Sequence, residues 1–133
     1  HLSEQERGDF KKQMEMMELQ EVFKDEELSQ ATLITEASFI PHAHEVKGRA
    51  LLIRQGDKTI LRFEDFETIN GPELHIYISK DIEAKEYFDL GEIKATKGNV
   101  NYEIPNNLDV TTYNKILVWC KPFSVLFSYT QFS

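Results

Sequence analysis

Near Leu33 the spacing of apolar residues changes from helical to alternating. From there on, turn-forming residues arrive at short intervals: Gly48, Gln55-Gly56-Asp57, Asn70-Gly71-Pro72, Gly91, Lys97-Gly98-Asn99 and Pro105-Asn106-Asn107. The runs between them are rich in Ile, Val, Thr, Phe and Tyr. A period of two places successive side chains on opposite faces of a strand, and spacings this short leave no room for crossover helices. The pattern predicts strands at 33–40, 45–54, 58–64, 74–79, 90–95, 99–104, 114–120 and 123–129. It predicts an all-β fold, an antiparallel β-sandwich or barrel with the sandwich preferred, rather than a βαβ arrangement. A helical turn is expected between Asp81 and Tyr87. The segments Asn70-Gly71-Pro72 and Gly98-Asn99 join residues that accept positive φ, so each is expected to end one strand and begin another.

The chain before this switch reads differently. Ser3 and Glu6 make a capping box, and Phe10, Met14, Met17 with Met16, Leu19, Phe23 recur at helical spacing between Lys and Glu. One N-terminal amphipathic helix is expected over residues 4–28, so the chain divides into a helical extension or spacer (1–32) and a β-domain (33–133). Residues 1–36 hold 10 acidic and 4 basic residues of the 23 and 15 in the whole chain. A membrane-surface helix favours a basic polar face, whereas this one is acidic, which favours docking or a spacer role.

A chain of 133 residues, 41% hydrophobic, suffices for one packed domain. The net charge of −8 and scattered Lys and Arg oppose a nucleic-acid partner, because phosphate neutralisation needs clustered cations. No run approaches the ~20 apolar residues of a membrane span. The opening His1-Leu2 is expected to follow a removed leader or a boundary, so membrane contact is expected only through an anchor outside the visible chain.

Chemistry narrows to Cys120, the only cysteine, in the run Ile116-Leu117-Val118-Trp119-Cys120-Lys121-Pro122-Phe123. A single thiol excludes an internal disulfide and every multi-cysteine motif. His42, His44 and His75 are possible co-ligands, and in a strand His42 and His44 would share a face. A blue-copper site, however, wants a His and a Met soon after the cysteine, and Lys121, Pro122 and Phe123 stand there. Histidines as polar edge or surface residues are the commoner use. No Gly-x-Ser-x-Gly elbow, phosphate loop or His-Glu-x-x-His helix is present, so no hydrolase or transferase is indicated. Carboxylates such as Glu64-Asp65, Glu67 and Asp81-Glu83 read as solvated turn and edge residues. The aromatics Phe63, Phe66, Tyr77, Tyr102, Tyr113, Trp119, Phe123 and Phe127 alternate as sandwich core does. On its apolar surroundings alone, Cys120 reads as a buried, inert thiol. Because Trp119 and Cys120 must face opposite sides of their strand, only one can point into the core unless the strand is bulged.

Taken in order, these residues resemble the DM-thirteen domain, also called the electron-transfer DM domain, found beside DOMON domains and in exported prokaryotic lipoproteins. The resemblance spans about Ala37 to Phe132. It rests on Phe39, His44, Gly48 and Ala50; Leu61-Arg62-Phe63 with Phe66; Gly71-Pro72-Glu73-Leu74 into Tyr77-Ile78-Ser79; Leu90-Gly91; Gly98, Tyr102 and Ile104-Pro105; and Tyr113 leading to Val118-Trp119-Cys120 and Phe123-Ser124-Val125-Leu126-Phe127. The sequence departs from the family's closing Phe-Gly pair, having Phe127-Ser128. The resemblance implies an extracytoplasmic redox or electron-transfer module, membrane-anchored in the full-length protein, that meets a protein or redox partner. Cys120 would be its centre as a naked thiol with no cofactor, or as a ligand to haem or a metal ion, with His42, His44 and Trp119 as neighbours. The alternative is a non-catalytic extracytoplasmic binding or adhesion domain in which Cys120 is structural.

Overall fold

The computed structural model describes residues 31–133; the helix expected over 4–28 lies outside the described residues. Among the described residues the chain forms β1 (Ala31–Ser38), β2 (Ile40–Pro41), β3 (Val46–Gln55), β4 (Lys58–Thr68), β5 (Leu74–Ser79), β6 (Tyr87–Glu92), β7 (Lys97–Ile104), β8 (Lys115–Cys120) and β9 (Val125–Gln131). Two antiparallel sheets pack as a sandwich, one ordered β1-β3-β4-β7 and the other β2-β9-β8-β5-β6. The inner faces meet through Ala50, Leu52, Leu61, Phe63, Phe66 and Tyr102 of the first sheet and Leu74, Ile76, Ile78, Ile116, Val118 and Phe127 of the second. Phe39, where the chain crosses between sheets, is buried with its ring 4.9 Å from Phe63 and 5.0 Å from Phe66.

Bulges set the shape of this sandwich. Strand β4 carries one extra residue relative to each neighbour, at Asp65: Arg49 pairs with Glu64 but Lys47 with Glu67, so Asp65 and Phe66 oppose Gly48, and Phe63 pairs with Val100 but Phe66 with Gly98, so Glu64 and Asp65 oppose Asn99. The bulge twists β4 locally and presses its backbone against Gly48. Gly48 has φ of 105°, and a β-carbon there would stand 2.7 Å from the Glu64 and Asp65 carbonyl oxygens. On the outer face of the same sheet lies an ionic cluster. Arg62, only 1% exposed, donates from Nε to Glu64 Oε2 at 2.9 Å, and Arg49 pairs with the other oxygen of Glu64. Glu64 is thus a buried carboxylate held by two guanidinium groups, where a solvated turn residue was expected.

Among the described residues the outer edges of the two sheets are β1, β7, β2 and β6. Strand β2 is two residues long, β1 is bulged between Leu33 and Thr35, β6 carries an extra residue opposite His75–Tyr77, and β7 contains Gly98 at φ 111°.

Local departures from the sequence pattern have physical causes. The sixth strand, expected at 90–95, begins at Tyr87. The Asp81 carboxylate accepts the backbone N–H groups of Glu83, Lys85 and Glu86, which closes a tight loop in place of the expected helical turn and returns the chain to the sheet early. Gly98 lies inside β7, opposite Phe66, rather than between strands. At Asn70-Gly71-Pro72 a turn does separate β4 from β5, but positive φ falls on Glu73 (47°). Gly71 serves another purpose: a β-carbon there would meet the Phe127 ring at 2.7 Å.

Candidate functional site

Strand β8 is apolar on both faces, and its pairing with β5 decides which way each residue points. Val118 lies opposite Ile76, and both face the core; Trp119 lies opposite His75, on the outside. Cys120 therefore points inward. It is 2% exposed within the apolar core, and its Sγ donates to the Pro72 carbonyl at 3.2 Å, so the 70–73 turn closes over it.

On the outer face, three rings form a row across β6, β5 and β8. Tyr77 and Tyr87 stack with centroids 4.1 Å apart at 18°, and Tyr77 and Trp119 follow at 5.9 Å and 25°. Such near-parallel, offset pairs add to the stabilisation that area burial alone gives. The Tyr77 phenol is pushed far above its ordinary range, first by burial, then by the charge and hydrogen bond of Tyr87, with Asp89 and Glu73 adding to it. It stays protonated at any physiological pH. Beside the row, His75 Nδ1 is 2.9 Å from Asp89 Oδ1, and Asp89 Oδ2 is 3.9 Å from the Lys121 ammonium. Tyr77 and Trp119 thus leave the aromatic core expected from alternation. Phe123, 67% exposed at the β8–β9 turn, does so too, while Phe63, Phe66, Tyr102 and Phe127 keep to it.

The row floors an open groove of about 690 Å³. One wall is the 81–86 loop, through Ile82, Glu83 and Ala84; the other is formed by His42, Lys121, Ser124 and Leu126. The Asp81 carboxyl that ties the first wall would be raised by burial, but the Lys85, Glu86 and Glu83 backbone N–H groups outweigh that and hold it below the usual range. The Ser79 hydroxyl reinforces the loop by donating to the carbonyls of Asp81 and Glu86. Both walls hold a non-glycine residue in the left-handed region, Ala84 at φ 56° and Ser124 at φ 52°.

His42 and His44 do not act as a pair. Strand β2 ends at Pro41, and the amides of His42 and His44 both donate to the Phe127 carbonyl, at 3.1 and 3.2 Å, which curls the segment onto the β9 bulge. Strand alternation does not apply there. His42 lines the groove with Trp119, whereas the His44 ring sits 4.2 Å from Phe127.

Of the residues linked to Cys120, Trp119 thus lies across the sheet from the sulfur, with His42 beside it in the groove. A haem or metal ion held through Cys120 does not fit this geometry. The sulfur is buried in the apolar core and engaged by a carbonyl, and among the described residues no three His, Cys, Asp or Glu side chains converge as ligands. A bulky thiol reagent is expected to reach Cys120 only through opening of the fold. For a stability of about 5 kcal/mol, reaction in native buffer should be at least ~10³-fold slower than in denaturant. Comparable rates in the two conditions would place the thiol at the surface.

The groove was missed because Tyr87 and the 81–86 loop carry no motif. The alternation in Leu74-His75-Ile76-Tyr77-Ile78 carries a signal that puts Tyr77 on the face of His75, against the reading of Tyr77 as core. Among protein families, one described as Electron transfer DM13 matches residues 38–132. No curated protein and no solved structure matches the chain.

Proposed function

Because the chain belongs to the electron transfer DM13 family, we propose that it is a one-electron exchange module whose working surface is the Trp119–Tyr77–Tyr87 row rather than the Cys120 thiol. The observation that carries this reading is the row itself. Three conjugated rings lie nearly parallel in successive contact across three strands, and Tyr87 at its end is 40% exposed. Overlapping π-systems couple a redox group seated over the groove to a carrier docked at the Tyr87 edge. The donor loses one electron, the carrier gains it, and the rings end unchanged. The buried thiol is poorly placed for the same task, because its partner, the Pro72 carbonyl, is too weak a base to take the proton that thiol oxidation releases. Resemblance to the family supports an extracytoplasmic setting and a protein redox partner.

A second reading is favoured by the enclosed thiol: a binding module in which Cys120 is packing and the groove holds a ligand. Radical migration separates the two. Azide radicals generated by pulse radiolysis oxidise Trp119, the only tryptophan, to its neutral radical, the indole proton passing to water. An electron from Tyr77 then refills the indole, which regains a proton from water, while the phenolic proton leaves through Tyr87 to solvent. The expected result is conversion of the tryptophan signal into a tyrosine signal at a rate independent of protein concentration. Tyr77→Phe should slow it by about tenfold or more, the equivalent of one decade in barrier. A conversion that depends on concentration, or is indifferent to Tyr77→Phe, would leave only the binding module.

A further inference from the structure

We infer that the outward face of the β1-β3-β4-β7 sheet is the docking surface of the chain's own residues 1–30. The first observation is what that face is made of. Register places Leu51 beside Arg62 and Ile53 beside Ile60, while Ala50, Leu52 and Leu61 turn the other way into the core. An antiparallel sheet with one wet face alternates apolar residues inside with polar residues outside. Here the middle of the outward face is aliphatic. Ile53 and Ile60, with Ala31 and Leu51 against them, form a cluster separate from the inter-sheet core.

The second observation is burial. Ile53 and Ile60 are 4% and 8% exposed, and Arg62, the next outward residue of β4, is shut off from water as well. Neighbours in a sheet shield a side chain from its flanks but leave its tip open, so burial this complete calls for a cover. Among the described residues the cluster contains only residues of the sheet itself. Shielding falls away sideways: Leu33, opposite Ile53 on β1, is 50% exposed, and Glu103, opposite Ile60 on β7, is exposed. The covered strip is therefore two strands wide, about 10 Å. That is the width of a single helix rather than of a second sheet or a large partner.

The occupant follows from where the chain arrives. Ala31 lies opposite Gln55, at the end where β3 turns into β4, and belongs to the cluster. The amphipathic pattern of residues 4–28 stops at Leu28, so Ser29 and Gln30 alone join it to the sheet. A tether this short holds the segment at an effective concentration in the millimolar range or above, whereas a second copy must arrive from bulk solution. The lengths agree too. A helical pattern of this size extends about 37 Å, and strands of 10 and 11 residues, as β3 and β4 are, extend roughly 33–37 Å. Its apolar positions include Met14, Met16 and Met17, side chains that adapt to an uneven aliphatic surface. The ring row lies on the other sheet, so this inference is independent of the exchange reading.

The test follows trypsin cleavage after Arg7, Lys11, Lys12 and Lys24 in the full chain and in a synthetic peptide of residues 1–30. A protease needs accessible, extended backbone, so docking should slow cleavage in the full chain at least ~100-fold relative to the peptide. Leu51→Asp, which sets a charge in the middle of the strip, should return cleavage toward the peptide's rate with the near-ultraviolet signal of the sandwich retained. Location is read without disturbing the sheet, from a nitroxide on Glu18→Cys with Cys120 left in the core. Amide signals of Leu51, Ile53 and Ile60 should broaden well before those of Ile76 and Val118 in the other sheet. Cleavage of the full chain at the peptide's rate, broadening centred on the other sheet, or protection that fades on dilution, the mark of a second copy as occupant, would each overturn the inference.

Discussion

Gly48→Ala is expected to lower the thermal midpoint of the domain by roughly 12–24 °C, from a loss of about 3 kcal/mol in a domain near 100 residues. Two costs combine at this position. The backbone sits at φ 105°, which L side chains rarely adopt, and the added methyl would stand 2.7 Å from the Glu64 and Asp65 carbonyl oxygens and from the Phe66 Cα. These are backbone atoms of a bulge paired on both sides, so they cannot swing away as a flexible side chain would. Gly98 is the internal control. Its φ of 111° is equally unusual, but a β-carbon there meets nothing within 4 Å. Gly98→Ala should therefore cost conformational strain alone, about 1–2 kcal/mol. Thermal unfolding followed by circular dichroism compares the two directly, and a Gly48→Ala midpoint no lower than that of Gly98→Ala would show that the bulge yields.

Glu64→Ala is expected to destabilise by about 3–5 kcal/mol, because it removes the carboxylate that balances a guanidinium almost wholly out of water. Arg62 is 1% exposed, and its Nε bond to Glu64 at 2.9 Å is charge-assisted. The neighbouring Lys47–Glu67 pair makes the comparison: it spans 3.9 Å between well-exposed side chains. Glu67→Ala should cost no more than about 0.5 kcal/mol, the ordinary worth of a surface pair. Replacing both partners, Arg62→Met with Glu64→Leu, should recover most of the loss, since desolvating two charges offsets much of their attraction. Urea titration of the four proteins gives the values. Equal effects of Glu64→Ala and Glu67→Ala would mean that solvent reaches Arg62.

How far these features were visible beforehand depended on contrast between the two faces of a strand. In β5 the alternation of Leu74, Ile76 and Ile78 with His75 and Tyr77 separates core from outside, because one face is aliphatic and the other is not, yet Tyr77 was read as core because its ring joins the aromatic set. In β8 the run Ile116-Leu117-Val118-Trp119-Cys120 is apolar on both faces, so periodicity says nothing about which of Trp119 and Cys120 points inward. Only the register with β5, a relation between residues more than 40 positions apart, decides it. Glu64 was likewise read as solvated because a carboxylate next to an aspartate resembles a turn; its two arginine partners come from β3 and from its own strand two residues back. The two-histidine face failed at His42 for a local reason, since alternation holds only while the backbone stays extended, and the chain bends where its amides turn to Phe127.

The edges of the sandwich have a consequence for life in a crowd. A sheet border offers unpaired N–H and C=O groups to any passing strand, and a long flat one templates fibrous growth. Here one border is two residues long and the other three are interrupted by an extra residue or a glycine kink. A neighbour's strand could therefore find only a few consecutive partners before losing step. Copies of this domain, tethered side by side or strung along one polypeptide, can be held at very high local density and still remain separate bodies.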